Sequence, residues 1–416
     1  MKKFQKINFI YITSLEYCNV FVSQIIDWLH LYQEKEVSFE LWRLSSLKKL
    51  IFNRKAETLE TQLIRKLYQG RVKKLFIIKP KISLGLIFNT LLFSIFLSRK
   101  LLSQKKLLIQ TRSPDLWKPL KFFKLIFPNK LKIIYDSRAA IAEELIYSNP
   151  NQFNILKEEI KRISQDEIEM IKISDKTFCV SNILIEYHLQ KDSNIDRSRF
   201  FLYPCSSNSD VFFYSKEKRR EYRERYRLTE KIVFVYSGGL KSPWHIPEKI
   251  FELFAGLFDL DNNSFLIILS PDKDIAEQYI TNLQIPRNSI LVSSVTNVEV
   301  SGFLCASDVA FLLRDDVKMN NVASPTKFAE YILTGLPVII SKNVGDFSSF
   351  VKDNDLGLVI NNEFSEENII EIHSYFNKKA ESFLNRRTEI AELGLSKYSK
   401  NLNTDSIIEQ YLSIIS

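Results

Sequence analysis

Glycine and proline are scarce in this chain, with 10 and 12 among 416 residues. These counts exclude collagen-like and Pro/Gly-rich low-complexity proteins, and they leave little room for long flexible linkers. The hydrophobic share of 45% and the charged share of 26% are typical of a globular protein. Because a chain of this length exceeds the usual size of one hydrophobic core, we expect two domains.

Cysteine and histidine are also few, and neither forms a cluster along the sequence. There is no CxxC pair among Cys18, Cys179, Cys205 and Cys305. Their spacing argues against a zinc site or a disulfide framework and fits a reducing cytoplasm. The four histidines are scattered without an HExxH motif, so a zinc hydrolase is disfavoured and no metal site is predicted. The missing GxxxxGK[ST] and GxGxxG motifs disfavour P-loop hydrolysis and NAD-dependent chemistry.

Long apolar runs are nearly absent as well. The N-terminus MKKFQKINFIYITSLEY has no long apolar core followed by a small-residue cleavage site, so no signal peptide is predicted. Residues 82–98, ISLGLIFNTLLFSIFLS, are mostly apolar but slightly too few for a membrane span. We predict a buried crossover helix there, and membrane insertion or deep interfacial contact is the alternative.

Positive charge is concentrated in one segment. The whole chain has a net charge of +9, and residues 99–132 alone hold ten Lys or Arg against one acid, Asp115. A basic segment interleaved with Leu, Phe and Ile suits an anionic partner such as a membrane surface or a phosphorylated lipid. An amphipathic helix packed on a sheet, with solvated lysines, explains the pattern equally well. No nucleic-acid-reading module is recognised, so we expect no nucleic-acid partner.

Short β-branched or aromatic runs alternate with helical patterns along nearly the whole chain. The first series of predicted strands is INFIYIT, VSFELWRL, KKLFIIKP, KLLIQTR, LKIIYDSR, KTFCVS and RFFLYP. After the charged helix KEKRREYRERYRL, the second series is KIVFVYSGG, SFLIILSP, SILVSS, DVAFLLRD, LPVIIS and LGLVI. Strands that are apolar throughout and separated by helices favour parallel sheets covered on both faces. We therefore predict an α/β protein with two doubly wound domains.

The two series also set the expected domain boundaries. We predict an N-terminal Rossmann-like domain over residues 1–205 and a C-terminal Rossmann-like domain over residues 206–395. The last helix, residues 396–416, is expected to pack back on the N-terminal domain. In doubly wound sheets ligands bind beyond the carboxyl ends of the strands. Residues that follow strands are therefore the candidates for function.

The stretch SPTKFAEYILTGLPVIIS, residues 324–341, is the first such candidate. Ser324 is a good N-cap, and Pro325 suits the first helical position. The free amides of that first turn form an anion site, to which Lys327 adds a charge that phosphates accept. Glu330 lies almost two turns after Ser324, within reach of a sugar hydroxyl beside the helix. The alternative is a capped helix with an exposed Lys and Glu.

Two further strand ends carry candidate residues. The strand KIVFVYS runs into Gly238 and Gly239, where the backbone can approach a ligand, although a tight turn fits as well. KIIYDSRAAIAEEL places Asp136 and Arg138 at the end of a first-domain strand. That position is the reason to predict a catalytic or acceptor-binding role for both residues.

In combination, these segments resemble the retaining GT-B glycosyltransferases of the glycosyl transferases group 1, or family 4-like, type. The matching pieces fall in order: VFVYSGG, SFLIILS, VTNVEVSGFLCASDVAFLLRDD, SPTKFAEYILTGLPVIIS and GDFSSFVKDNDLGLVI. The resemblance covers residues 200–370 well and extends loosely through IYDSRAAIAEE, FCVSN and LYPCSSNSDVF. Its specific part is the SPTKFAEY…TGLPVI stretch.

The resemblance implies two Rossmann-like domains facing a cleft and a set of donor-binding residues. It implies that the diphosphate of a nucleotide sugar is surrounded by Ser324, Pro325, Thr326 and Lys327. It further implies that Glu330 holds the ribose. The phosphate side would be closed by Ser237, Gly238 and Gly239, with Lys241 nearby, and the base would meet Ser294 and Val295.

The activity that the resemblance implies is a hexosyltransferase-type glycosyltransferase in surface polysaccharide biosynthesis. We expect retention of configuration, no metal ion, and no cofactor other than the UDP- or GDP-type sugar donor. The expected acceptor is a saccharide or a polyprenyl-linked saccharide. The expected location is the cytoplasm. The basic segment further suggests peripheral contact with the inner face of the membrane.

Two positions depart from the family pattern. The family often carries an acid eight residues before the ribose acid, where this chain has Val322. An Arg commonly follows the first glycine of the paired-glycine loop, where this chain has Gly239, and Lys241 is the candidate substitute. These departures leave two alternatives open: a catalytically inactive nucleotide-sugar-binding subunit of a transferase complex, and a nucleotide-sugar 2-epimerase.

Overall fold

A computed structural model of the chain describes residues 7–77, 83–102, 106–363 and 365–415. It divides into two compact units. Unit 1 comprises the described residues of Met1–Val180, Leu184–Tyr203 and Thr404–Ser416. Unit 2 comprises those of Ser181–Ile183 and Pro204–Asn403.

Unit 1 is built on one parallel sheet. Its strands are β1 (Ile7–Thr13), β2 (Phe39–Ser46), β3 (Val72–Ile77), β4 (Lys106–Thr111), β5 (Leu131–Ser137), β6 (Lys176–Cys179) and β7 (Phe200–Leu202). The strand order is β3-β2-β1-β4-β5-β6-β7. The order reverses between β1 and β4, which is the switch point of a doubly wound sheet.

The helices of unit 1 connect these strands. They are α1 (Asn19–Phe21), α2 (Asp27–Glu34), α3 (Leu47–Phe52), α4 (Arg54–Leu67), α5 (Ser83–Leu102), α6 (Trp117–Ile126), α7 (Ile141–Ser148), α8 (Phe153–Ile173) and α9 (Asn182–Lys191). A π-helical turn, Val22–Ile26, joins α1 to α2.

Helix α5 is the crossover helix predicted over residues 82–98, and its burial is one-sided. Phe93, Leu97 and Leu101 are buried, whereas Leu91 and Ile95 are more than half exposed. The prediction of a buried helix is thus correct for one face only. Among the residues that the structure describes, no helix is long and apolar enough to cross a membrane.

Unit 2 is built on a second parallel sheet. Its strands are β8 (Ile232–Ser237), β9 (Ser264–Leu269), β10 (Ile290–Ser293), β11 (Val309–Leu312), β12 (Val338–Ser341) and β13 (Gly357–Ile360). The strand order is β10-β9-β8-β11-β12-β13, with the reversal between β8 and β11. All five neighbouring pairs of described strands in this sheet are parallel.

The helices of unit 2 cover both faces of that sheet. They are α10 (Lys216–Arg225), α11 (Pro247–Leu260), α12 (Lys273–Asn282), α13 (Asn297–Ala306), α14 (Lys318–Asn321), α15 (Thr326–Leu333), α16 (Phe347–Asp353) and α17 (Glu366–Tyr398). The chain ends in α18 (Lys400–Ile415), which belongs to unit 1 from Thr404 onwards.

Each unit has its own hydrophobic core. In unit 1, Phe9 of β1, Leu108 of β4 and Tyr411 of α18 belong to one buried cluster. The hydroxyl of Tyr411 donates a hydrogen bond to Gln110 Oε1 at 2.7 Å, which satisfies a buried polar pair inside that core. In unit 2, the apolar side chains of all six strands and of α11, α13 and α15 form a second cluster.

The predicted fold class is confirmed. Every segment predicted as a strand contains a strand within the described residues, and both sheets are parallel with intervening helices. The observed strands differ from the predicted segments by at most three residues at either end, as for VSFELWRL, where β2 begins two residues later.

Candidate functional site

The carboxyl end of β8 and the start of α15 touch each other in unit 2. Gly238 follows β8 directly and has a φ of +137°, a value that side-chain-bearing residues rarely adopt. A Cβ at this position would collide with Cε and Nζ of Lys327, which lies against the backbone there. The backbone conformation therefore favours glycine at residue 238, and a side chain there would also displace the end of Lys327.

The ammonium group of Lys327 lies among aromatic and cationic side chains. Its Nζ donates to the hydroxyl of Tyr236 at 2.8 Å and stands 4.3 Å from the centre of the Tyr236 ring. Burial lowers the pKa of Lys327 well below its usual value, and the positive charge of Arg314 lowers it further. Because only Glu330 opposes these effects, the group is poised to gain from an anionic ligand.

Glu330 lies one turn after Lys327 on α15. Its carboxylate receives no hydrogen bond and no ion pair from the residues that the structure describes. Burial raises the pKa of Glu330 to about 7, while Lys327 and Lys400 oppose that change. A half-buried carboxylate without donors can accept hydrogen bonds from a vicinal diol such as that of a ribose.

The paired-glycine loop is held by side chains that sequence reasoning did not assign. Tyr236 Oη donates to the carbonyl oxygen of Gly239 at 2.9 Å, and Nδ1 of His245 lies 2.9 Å from the same oxygen. Because that carbonyl can only accept, the Nδ1 of His245 carries the proton. Burial lowers the pKa of His245 to about 2, so the imidazole is neutral.

Asp272 fixes the next part of the loop and engages Lys241. Its Oδ2 accepts from the backbone N–H groups of Leu240 at 2.8 Å and of Lys241 at 3.3 Å. Its Oδ1 lies 3.2 Å from Lys241 Nζ, and most of the Lys241 side chain is exposed. Lys241 is thus already paired with an acid, and its predicted part in donor binding stays a prediction.

The start of α15 differs from the sequence prediction. The helix begins at Thr326, and Pro325 occupies the N-cap position with no side-chain capping bond. The prediction of Ser324 as N-cap and Pro325 as first helical residue is wrong by one position. The cause is that Ser324 Oγ accepts a hydrogen bond from the N–H of Cys205 at 3.0 Å instead.

The first-turn amides of α15 still point outward from the helix start. A helix leaves its first N–H groups without intrahelical acceptors. Those of Thr326 and Lys327 receive no acceptor from the part of the chain that the structure describes. Together with Lys327 they can bind an anion such as a diphosphate.

Ser294 and Val295 follow β10 at the edge of the same sheet. Ser294 is exposed, and Val295 packs against the unit 2 core. Thr296 comes next and caps α13 in a capping box with Glu299. Ser294 and Val295 thus follow a strand that lies two positions away from β8 in the sheet, and their contact with the base stays a prediction.

Asp136 and Arg138 lie in unit 1, in a buried ion-pair network. Asp136 Oδ2 accepts from Tyr11 Oη at 2.6 Å and from Arg112 Nε at 3.1 Å, and its Oδ1 accepts from Arg138 Nε at 2.7 Å. The two guanidinium groups and Tyr11 lower the pKa of Asp136 despite its burial. A carboxylate held in this way is a weak base at neutral pH.

Val322, where the family often has an acid, is a core residue of unit 2. Its side chain is buried, and its carbonyl oxygen accepts a hydrogen bond from Ser181 Oγ at 2.7 Å. Within the described residues, no group of three or more His, Cys, Asp or Glu side chains could hold a metal ion.

The fold is shared with known proteins, although the sequence is not. No protein-family model matches the chain, and no curated protein matches it. The crystal structure of Anabaena HepE in complex with UDP superimposes with a TM-score of 0.71 at 12% identity, over 98% of this chain and 100% of that one. A glycosyltransferase from Rickettsia africae gives 0.66 at 15% identity, over 98% and 99%. WaaG, a glycosyltransferase involved in lipopolysaccharide biosynthesis, gives 0.61 at 15% identity, over 99% of both chains. These similarities establish the GT-B fold.

Proposed function

We propose that this protein is a glycosyltransferase that binds a nucleotide-sugar donor in unit 2. The observation that carries the proposal is the arrangement of Lys327 and Glu330 on α15. A cation lies against the paired-glycine loop, and an acid without hydrogen-bond donors follows one turn later. A nucleoside diphosphate offers the complementary pair of groups, which are a diphosphate and a ribose diol.

The same arrangement suits the chemistry of sugar transfer. When the bond between the sugar C1 and the donor oxygen breaks, negative charge accumulates on the leaving diphosphate. Fixed amides and cations at that place stabilise the charge, which is the largest catalytic contribution in many transferases of charged groups. We propose that Lys327 and the first turn of α15 supply this stabilisation without a metal ion and that the sugar retains its configuration.

UDP is the nucleotide that we propose first, with a saccharide or lipid-linked saccharide as the acceptor. Anabaena HepE has been crystallised with UDP and with UDP-glucose. WaaG acts in lipopolysaccharide biosynthesis, which supports a surface polysaccharide as the product. The catalytic or acceptor-binding role of Asp136 and Arg138 remains a prediction.

A thermal-shift screen against UDP, GDP, ADP and CMP tests the proposal. We expect one nucleotide, UDP in the first place, to raise the melting temperature. A ligand present at about a hundred times its Kd stabilises the folded state by about 2.7 kcal/mol. If none of the four shifts a protein that circular dichroism shows to be folded, the donor site is refuted.

Two alternatives are separated by what happens to the donor after it binds. The first alternative, which the departures at Val322 and Gly239 leave open, is an inactive nucleotide-sugar-binding subunit. Such a subunit would bind a UDP-sugar without consuming it. A 2-epimerase would release an epimerised sugar without any acceptor. Incubation of UDP-glucose and UDP-N-acetylglucosamine with the protein, followed by chromatography of the products, distinguishes these outcomes from transfer.

We also propose that unit 1 contacts the membrane surface through α6. Phe122, Leu125 and Ile126 lie on one side of this helix, and each is more than half exposed. A groove beside them is lined by more cations than acids: Lys121, Lys124, Lys172, Lys176 and Arg199 against Asp175 and Asp196. An apolar face next to positive charge is complementary to an anionic lipid surface.

The double variant Phe122→Gln and Leu125→Gln should weaken binding to phosphatidylglycerol-containing vesicles by about thirtyfold. Each apolar side chain that enters the interface contributes on the order of 1 kcal/mol, which is about fivefold to tenfold in affinity. Vesicle co-sedimentation measures the effect. Ile155→Gln on α8 is the matched control, since Ile155 is 80% exposed but lies among mixed charges. Equal binding of the double variant and the wild type would contradict the proposal.

A further inference from the structure

Arg314 is a buried cation without a counter-ion among the described residues of unit 2. It is only 8% exposed, and its guanidinium makes no hydrogen bond and no ion pair with the described residues. Its backbone is nevertheless held firmly. The N–H donates to Ser341 Oγ at 2.9 Å, and the carbonyl oxygen accepts from Asn362 Nδ2 at 3.0 Å.

Other buried or half-buried arginines of the same unit have protein partners. Arg387 donates to the carbonyl oxygens of Ser307 at 2.7 Å and of Thr334 at 2.9 Å. Arg219 and Arg223 both pair with Asp308. A buried guanidinium without acceptors is unfavourable in the unliganded protein. Among these arginines, Arg314 is the one whose guanidinium has no partner within the described residues, and an anionic ligand would supply one.

The position of Arg314 indicates which ligand. It follows β11, which pairs with β8 at the switch point of the sheet, where doubly wound folds bind ligands. The observed register pairs Val309 with Phe234 and Ala310 with Val235. β11 ends at Leu312 and β8 ends at Ser237, so Arg314 and Gly239 each follow their strand by two residues at the same edge of the sheet.

Electrostatics places the guanidinium in the same cluster as Lys327. The charge of Arg314 lowers the pKa of both Lys327 and His245. Tyr236 and Tyr331 in turn raise the pKa of Arg314, although burial lowers it overall to about 10. Two cations are thereby gathered around the paired-glycine loop. The acids near them are Glu330 on α15 and Asp272, and Asp272 is already bonded to the loop backbone and paired with Lys241.

We propose that Arg314 binds the diphosphate of the donor from β11 and replaces the cation that the paired-glycine loop lacks at Gly239. This inference rests on the proposed function. In the reaction, the C1–O bond of the donor breaks and its electron pair passes to the diphosphate. The acceptor oxygen forms the new bond to C1, and the acceptor proton passes to the released diphosphate. Arg314 and Lys327 would stabilise the charge on that leaving group from two neighbouring elements.

Arg314→Met separates a binding role from a structural one. Methionine keeps the apolar stem and removes the unpaired charge, so the melting temperature of the unliganded variant should stay the same or rise. Affinity for UDP and for inorganic pyrophosphate, measured by calorimetry, should fall at least tenfold, while Arg314→Lys should recover part of it. Arg287→Met, at an exposed arginine paired with Glu277, is the matched control.

Each outcome has one meaning. Wild-type protein that binds neither UDP nor pyrophosphate refutes the proposed function itself. Wild-type protein that binds both, with Arg314→Met binding equally well, refutes only the role of Arg314. A large fall in the melting temperature of unliganded Arg314→Met would show that the guanidinium is structural and would also overturn the inference.

Discussion

Replacing Lys327 with methionine is expected to weaken UDP binding by about tenfold to a hundredfold. A hydrogen bond to a charged group contributes about 1.5–3 kcal/mol, which corresponds to that range of affinity. Methionine retains an unbranched apolar side chain over Gly238, so the packing contact with the backbone at Gly238 is kept. Because burial already disfavours the charged form of Lys327, the unliganded protein should lose no stability. Titration calorimetry with UDP measures the effect.

The matched control for this variant is Lys273→Met on α12, where the lysine is exposed. A companion variant, Glu330→Ala, examines the other end of the nucleotide. The wild type should bind UDP more tightly than 2′-deoxy-UDP, and Glu330→Ala should lose this preference because the acceptor for the diol is gone. If Lys327→Met binds UDP as tightly as the wild type, α15 is not the diphosphate site.

Replacing Gly335 with alanine is expected to cause the largest loss of stability, about 3 kcal/mol or more. Gly335 ends α15 in a left-handed conformation with a φ of +69°. Leu336 N–H bonds to Tyr331 O, and Gly335 N–H bonds to Ile332 O, both at 2.9 Å, which is the Schellman pattern of a helix end. A left-handed alanine costs about 1 kcal/mol or more. The new methyl group would also collide with the carbonyl oxygen of Arg387, so α17 must shift.

Hydrogen–deuterium exchange of peptides from α15 and β12 is the suitable measurement, because a protein with two cores need not unfold in one step. Gly239→Ala is the control. A Cβ at Gly239 would meet nothing closer than Asp272 Oδ2 at 3.4 Å, so the stability should change by about 0.5 kcal/mol or less. If exchange in Gly335→Ala matches the wild type, α17 shifts to accommodate the methyl group with little loss of stability, which would contradict the prediction.

The strands were predictable because their signal is local. β8, β9 and β12 are buried on both faces, so each appears in the sequence as an uninterrupted apolar run. The same holds for α15, whose apolar residues recur at helical spacing and whose end is marked by Gly335. Local patterns of this kind need no knowledge of the partner.

Predictions that depended on a partner were less successful. Ser324 was predicted as an N-cap because its side chain suits that role, but the N–H of Cys205 engages its hydroxyl. Helix α5 was predicted to be buried, but one of its sides is exposed. These outcomes depended on whether a residue distant in the sequence packs against or bonds to the predicted one.

The amino-acid sequence by itself determined the two parallel sheets, the order of their elements and the placement of Lys327 and Glu330 one turn apart on a helix. Apolarity and helical spacing are properties of a single stretch of chain, and burial selects them directly. Only the tertiary structure decided that Arg314 and Gly239 follow two neighbouring strands, that Tyr236 bridges Lys327 and Gly239, and that Asp272 holds Lys241. Those contacts follow from strand register and from the reversal of strand order between β8 and β11. Register and strand order are set by the packing of the whole unit, so no single stretch of sequence contains them.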